Sequence, residues 1–288
     1  MAEIPLAAAR GFLCAWALKL EHRLPEASLC KLGSGHILLH VKHRSEQVAY
    51  KTGNPALSAK TFERFSSGLA NGESMTLEGT SNKALLLLAL TVGGAAVSWG
   101  FHLDMGICGT SALVAFVGAL VYIFNQRLAF LAPTYAILEG IALGGVSAIF
   151  EAKYPGIVLN SVVLTFGTLG TLLLLYRARL IQASENFKLA VTSATGAVAL
   201  LYLVDLGAAL FFHVRIPFIH EAGWTGIGFS LFVVGLAAAN LVLDFDFIEN
   251  GVARKAPKYM EWYSAFGLIV TLVWLYLEIL RLLAKLKK

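Results

Sequence analysis

The chain has 288 residues, of which 57% are hydrophobic and 14% charged, with a mean hydropathy of +0.70. A soluble domain carries about 25% charged residues, so a water-soluble globule is excluded and an integral membrane protein is the direct reading. The formal net charge of +5 comes from lysines and arginines set between apolar runs, with no RNP or zinc-finger pattern, which excludes nucleic acid as the partner.

Residues 1–53 differ from everything that follows. The apolar run Ile4–Leu20 is broken by Arg10, follows Glu3 where a signal peptide is basic, and is shorter than the roughly 20 residues of a span. The segment reads as a poorly ordered cytoplasmic tail. His36, His40 and His43 fall at i, i+4, i+7 and would share a helix face, but a solvated tail is the better reading in so irregular a stretch. Cys14, Cys30 and Cys108 are isolated, which supports neither a disulfide framework nor a zinc site. Residues 54–83 are a cytoplasmic lead-in, polar up to Thr80, with Lys60 and Arg64.

From Ala84 the expectation is an all-α membrane protein, a bundle of seven transmembrane helices over 84–288. The seven apolar runs are Ala84–Phe101, Gly106–Phe124, Ala129–Phe150, Gly156–Tyr176, Phe187–Phe212, Trp224–Leu243 and Met260–Leu283. Most run to about 18–25 residues, enough at 1.5 Å each for a ~30 Å hydrocarbon core. The short links FHLDMG, NQRL and EAKYP leave room for no soluble domain. Gly140 with Gly144, and Gly235 with Ala239, offer small faces for close helix contact.

Charge bias sets the orientation. Lys60, Arg64 and Lys83 precede the first span, and Arg127, Arg177, Arg179, Lys188, Arg254, Lys255 and Lys258 fall on the same side; Lys153 and Arg215 fall opposite. The N-terminus is therefore expected in the cytoplasm. Lys285, Lys287 and Lys288 run against this, so either the last segment stops short of crossing or late charges are tolerated.

Acids inside apolar runs cost about 2.5–3.5 kcal/mol each at the bilayer centre on insertion scales, which makes them functional candidates. Glu139 lies mid-span with no cation at i±3 or i±4, and needs a partner on another helix, a watery cavity or a proton. Asp244 lies one turn after Asn240 on the same face; an inward and an interfacial position are both open. Asp246 points nearly the opposite way and, with Glu249, is expected at the cytoplasmic interface. Ser264, Thr271 and Glu278 are seven apart and should face the bundle, although Glu278 has an ordinary partner in Arg281 at i+3. Asp205 reads as a solvated helix-end acid. Arg127 either obeys the charge bias or closes the cytoplasmic mouth by pairing with an acid. The loop histidines His102, His213 and His220 read as ordinary exposed side chains. No HExxH, GxSxG or P-loop is present, and the reading is a non-enzyme.

The stretches NPAL near Asn54, PTYAILEGIALGGVSAIFEAKYPGIV, GIGFSL, LVLDFDFIE and APKYMEWYSAFGLIVTLVWLYLEILRLL resemble the Bax inhibitor-1 membrane proteins, in their bacterial YccA-like branch. The likeness spans about Asn54 to Leu283; residues before it read as an added tail, or as translation from an upstream start with Val48 as the alternative. It implies a seven-helix bundle with the last helix central, in a bacterial inner membrane, and in characterised members a pH-sensitive calcium leak. In those members an aspartate near the end of the sixth helix pairs with one in the seventh, and an arginine of the second joins the latch. Asp244 is the counterpart of the first, with Asp246 second, and Arg127 roughly matches the arginine. The second aspartate is replaced: aligning LYLE selects Glu278, whereas a gapless fit through ILRLL selects Thr271. Glu278 lies ~27 Å along its helix from the cytoplasmic start, too deep for an easy bond to Asp244, which leaves Glu139 or Glu261 as other second acids. The functional expectation is a cation leak, with Ca2+ and H+ as the ions and Asp244, Asp246, Glu278, Glu139 and Thr271 on the pathway. A non-conducting regulator of other membrane proteins and a proton-coupled transporter are the alternatives. No cofactor is expected beyond Ca2+ as a permeant or bound ion, and the partners are the lipid bilayer, these cations and other membrane proteins.

Overall fold

The computed structural model describes residues 74–288 apart from 215, 217, 218 and 220. The expectations for residues 1–53, including the three-histidine face, lie outside the described residues, as do those for Lys60, Arg64, Arg215 and His220. Within the described residues the structure is all-helical, with seven long apolar helices: α1 (Leu77–Gly100), α2 (Met105–Phe124), α3 (Leu131–Lys153), α4 (Ile157–Arg177), α5 (Glu185–Phe212), α6 (Trp224–Ala253) and α7 (Met260–Leu286). All seven are long and apolar enough to cross a membrane.

The helix ends follow local chemistry. Thr76 caps α1 by accepting the Gly79 amide at 3.0 Å, Asp104 caps α2 through Gly106 at 2.8 Å, and Ser184 caps α5 through Phe187 at 3.3 Å. The Thr76 cap starts α1 seven residues ahead of the apolar run, so the end of the lead-in is already helical. Between α3 and α4, Gly156 takes a left-handed φ of +80°. Glu151 holds that turn by accepting the Gly156 and Val158 amides at 2.6 and 3.1 Å. The sixth helix continues ten residues beyond its apolar run, because Phe245, Phe247 and Ile248 are buried and keep it packed past Asp244.

The seventh helix is the axis of the bundle. In its most apolar stretch 56% of residues are buried, and 50% in α6, against 17–28% in α1, α2, α4 and α5. It packs against α6, α1, α4 and α3, while α5 rests mainly on α6. Tyr122, Tyr263 and Phe266 meet edge to face, with Tyr122–Phe266 centroids 5.0 Å apart, and tie α2 to α7.

Small residues set the α1–α3 distance. A Cβ on Gly144 would come within 2.6 Å of the Ala95 carbonyl, and one on Gly94 within 2.6 Å of the Ile137 carbonyl. A Cβ on Gly140 would press into the Thr91 carbonyl. The Gly140 and Gly144 expectation therefore holds. Gly235 does not follow it: nothing lies within 4 Å of its Cβ position, so it is no close-approach point.

The last helix does traverse the bundle. Its end meets the start of α6, where Lys285 donates to the Gly226 carbonyl at 2.9 Å and the Ser230 hydroxyl at 2.8 Å. Lys287 donates to the Pro155 carbonyl at 3.1 Å. Two of the lysines that confuse the charge bias are thus spent on carbonyls and a hydroxyl at this end.

Candidate functional site

The seam between α6 and α7 carries Asp244. The two helices are antiparallel and joined by only six residues, which brings the middle of one against the middle of the other. Asp244 is 0% exposed, and Asn240, one turn away on the same face, is buried too. The inward position is therefore the observed one. Thr271 of α7 is turned towards the Asp244 carboxyl. Its hydroxyl, however, donates to the Gly267 carbonyl at 3.2 Å, and neither Asp244 oxygen has a well-formed hydrogen bond within the protein. Asn240 gives its amide to the Thr195 hydroxyl at 2.8 Å and the Leu236 carbonyl at 2.9 Å, which leaves its Oδ1 unpartnered. Ser264 Oγ, two turns from Thr271 along α7, is also buried and unpartnered.

Unsatisfied buried polar atoms are rare because each loses its hydration without replacement, at about 1–3 kcal/mol. Here Asp244 and Asn240 carry such atoms on one face of α6, and Ser264 and the Glu278 Oε2 carry them elsewhere along α7. Oxygen donors suit hard cations and water. Among the described residues no three His, Cys, Asp or Glu side chains converge. The donor set is one carboxyl with hydroxyl and amide oxygens.

The other acids of α6 and α7 are accounted for by cations. Asp246 sits opposite Asp244 on α6 and pairs with Lys188 of α5 at 2.9 Å; Lys188, itself buried, also reaches Glu185 at 3.2 Å. Glu249 is exposed, accepts from the Tyr176 hydroxyl at 2.6 Å and faces Arg179 at 3.9 Å. The interfacial expectation thus fits Glu249, whereas Asp246 is half-enclosed and neutralised. Glu261 is fully buried and accepts from the Thr76 amide at 2.8 Å, the Thr76 hydroxyl at 2.9 Å and the Lys83 ammonium, with Lys258 at 3.4 Å. It fastens the start of α1 to the start of α7.

Glu278 lies at the other end. It is buried and accepts from Arg281 at 2.8 Å and the Tyr202 hydroxyl at 2.9 Å, with the Arg281 guanidinium 5.4 Å from the Tyr202 ring centroid. The stripe Ser264, Thr271, Glu278 does face inward. It nevertheless brings Thr271, not Glu278, to Asp244, the arrangement of the gapless alignment.

Two further sequence candidates stay apart from the seam. Glu139 is half-buried on α3 beside Tyr135, without an ion pair among the described residues. Arg127 is exposed beyond the end of α2, near the Tyr259 phenol, and meets no acid among the described residues. Asp205 departs from expectation: it is buried and accepts the Ile216 amide at 2.9 Å, folding the α5–α6 connection back onto α5.

Sequence reasoning missed Lys188 and Tyr202 as partners. Lys188 is legible as a charge just inside an apolar run, where it reads as part of the charge bias. Tyr202 had no signal, because its bond to Glu278 joins helices 76 residues apart in sequence.

Searches of curated proteins and of solved structures return no match. Residues 52–288 match the sequence profile of the family described as Bax inhibitor 1 like. With seven membrane-length helices within that span, the chain belongs to the Bax inhibitor 1-like family of multi-pass membrane proteins.

Proposed function

We propose that this protein is a pH-sensitive cation leak, with Ca2+ as its principal ion and Asp244 as the gating carboxyl. The observation that carries the reading is a fully enclosed Asp244 whose two oxygens lack a well-formed hydrogen bond, one turn from an unpartnered Asn240 oxygen. A buried carboxyl without a counter-ion is a group whose gain or loss of charge must rearrange its surroundings, by water entry or helix displacement. Asp246, Glu261 and Glu278 already have cations, so they hold the bundle and Asp244 switches it. Thr271 stands where family members carry the second acid, which makes the switch a single carboxyl. The proposed setting is a bacterial inner membrane with the N-terminus cytoplasmic, as the charge bias supports.

The test is Ca2+ entry into liposomes holding the purified chain, read with a trapped indicator across pH. Flux that changes with pH in the native protein and is flat in Asp244→Asn is the expected result. Equal pH dependence in both would overturn the assignment.

A second reading is a regulator that conducts nothing and acts through other membrane proteins. The replacement of the second family acid by Thr271 favours it. A chain silent in every flux assay, yet crosslinked in cells to one defined membrane partner, would select it.

A further inference from the structure

Both α1 and α4 pack on α7, but they make no substantial contact with each other. A cleft floored by α7 is left between them, open towards the bilayer. It holds a cavity of about 810 Å³ near the end of α4 and a second of about 400 Å³ towards the other face of the membrane. The two share Leu88 and Leu272 and so are successive parts of one cleft. The larger follows α1 from Leu77 to Leu88, about 17 Å at 1.5 Å per residue, which is the depth of one leaflet of a ~30 Å core.

The larger cavity changes character along its length. Its deep walls are Leu85, Leu88, Leu169, Leu173, Leu268 and Leu272, whereas its shallow end carries Arg177, Arg179, Asp246, Glu249 and Tyr176. Lys188 already neutralises Asp246 at 2.9 Å. The groups left for a ligand are two guanidiniums and the Glu249 carboxylate beside the Tyr176 hydroxyl. Arg179 and Glu249 meet only at 3.9 Å, with side chains 80% and 58% exposed, so an incoming headgroup can displace that contact.

We propose that this cleft binds a bilayer phospholipid whose headgroup carries both a phosphate and a primary ammonium. An acyl chain lies along the leucines, the guanidiniums of Arg177 and Arg179 take the phosphate, and Glu249 accepts from the ammonium. A purely anionic headgroup would leave Glu249 facing negative charge. A trimethylated one has no N–H to give it. This site is separate from the Asp244 seam, so its fate and that of the proposed leak are independent.

The experiment is native mass spectrometry of the full chain released from nanodiscs of equal phosphatidylethanolamine, phosphatidylcholine and phosphatidylglycerol. The expected result is one retained phosphatidylethanolamine per chain, at least fivefold preferred over the other two. Arg177→Gln with Arg179→Gln should cut that retention at least fivefold. Glu249→Gln should abolish the preference among headgroups while lipid is still retained. Ser81→Trp, which projects into the cleft from an exposed position of α1, should lower retention of all three. These changes are on exposed side chains, so the fold is not at stake. Equal retention of the three lipids by the native chain and every variant would mean annular lipid only and would overturn the proposal. Crosslinks from Ser81→Cys to residues before 74 or to a second copy, with no lipid retained, would overturn it as well.

Discussion

Asp244→Asn should remove function and add stability. In the native chain both Asp244 oxygens are buried without a well-formed hydrogen bond, and the Asn240 Oδ1 one turn away is an unpartnered acceptor. The substituted side chain has nearly the same volume, carries no charge and brings an N–H donor. That donor can reach the Asn240 Oδ1 at i−4, the spacing at which helical side chains bond. Relieving unsatisfied buried atoms is worth about 1–3 kcal/mol for each group. Against this, the new amide places a second hydrogen where it need not be bonded, so a net gain of about 1–2 kcal/mol is expected. In a chain of this size 1 kcal/mol moves Tm by roughly 2–4 °C. Thermal unfolding in detergent should therefore show Tm higher by a few degrees, while liposome flux loses its pH dependence. Stability traded for activity in this way marks a functional residue. A variant destabilised by several degrees would refute the reasoning, since it would mean that the carboxyl holds the fold through bonds of its own.

Thr271→Asp should place a second carboxyl against the first and turn a single-step pH profile of flux into two steps, as coupled acids titrate in macroscopic stages; an unchanged profile would remove Thr271 from the site. Glu278→Gln, by contrast, should leave the pH profile as it is, because Glu278 is occupied by Arg281 and Tyr202 at 2.8 and 2.9 Å. Glu261→Gln should lower stability by about 3 kcal/mol, the low end for breaking a buried pair because Lys83 keeps partial access to water; a double-mutant cycle with Lys83→Met, followed by thermal unfolding, measures it. Gly144→Ala should cost about 1–3 kcal/mol by forcing α1 off α3, whereas Gly235→Ala, with nothing within 4 Å of the added Cβ, should be neutral or stabilising in the same assay.

Seven spans and the family were legible in the chain itself, and the resemblance implied the central place of the last helix. Length and hydropathy decide whether a segment crosses a bilayer, and both are properties of contiguous residues. The inward stripe of Ser264, Thr271 and Glu278 was equally legible, since a spacing of seven fixes a common helix face. What the stripe meets was not. Whether Asp244 faces Thr271 or Glu278 depends on the register of α7 against α6. Whether Asp246 or Glu261 is a charge in search of a partner depends on Lys188 and Lys83, each on a different helix from its acid, and the Tyr202 bond to Glu278 likewise crosses between helices. Sequence patterning determined the inward face of α7, because burial there follows helical periodicity. The tertiary packing decided which acids are neutralised from another helix, because ion pairs and hydrogen bonds act over about 3 Å between helices whose residues are far apart in the chain.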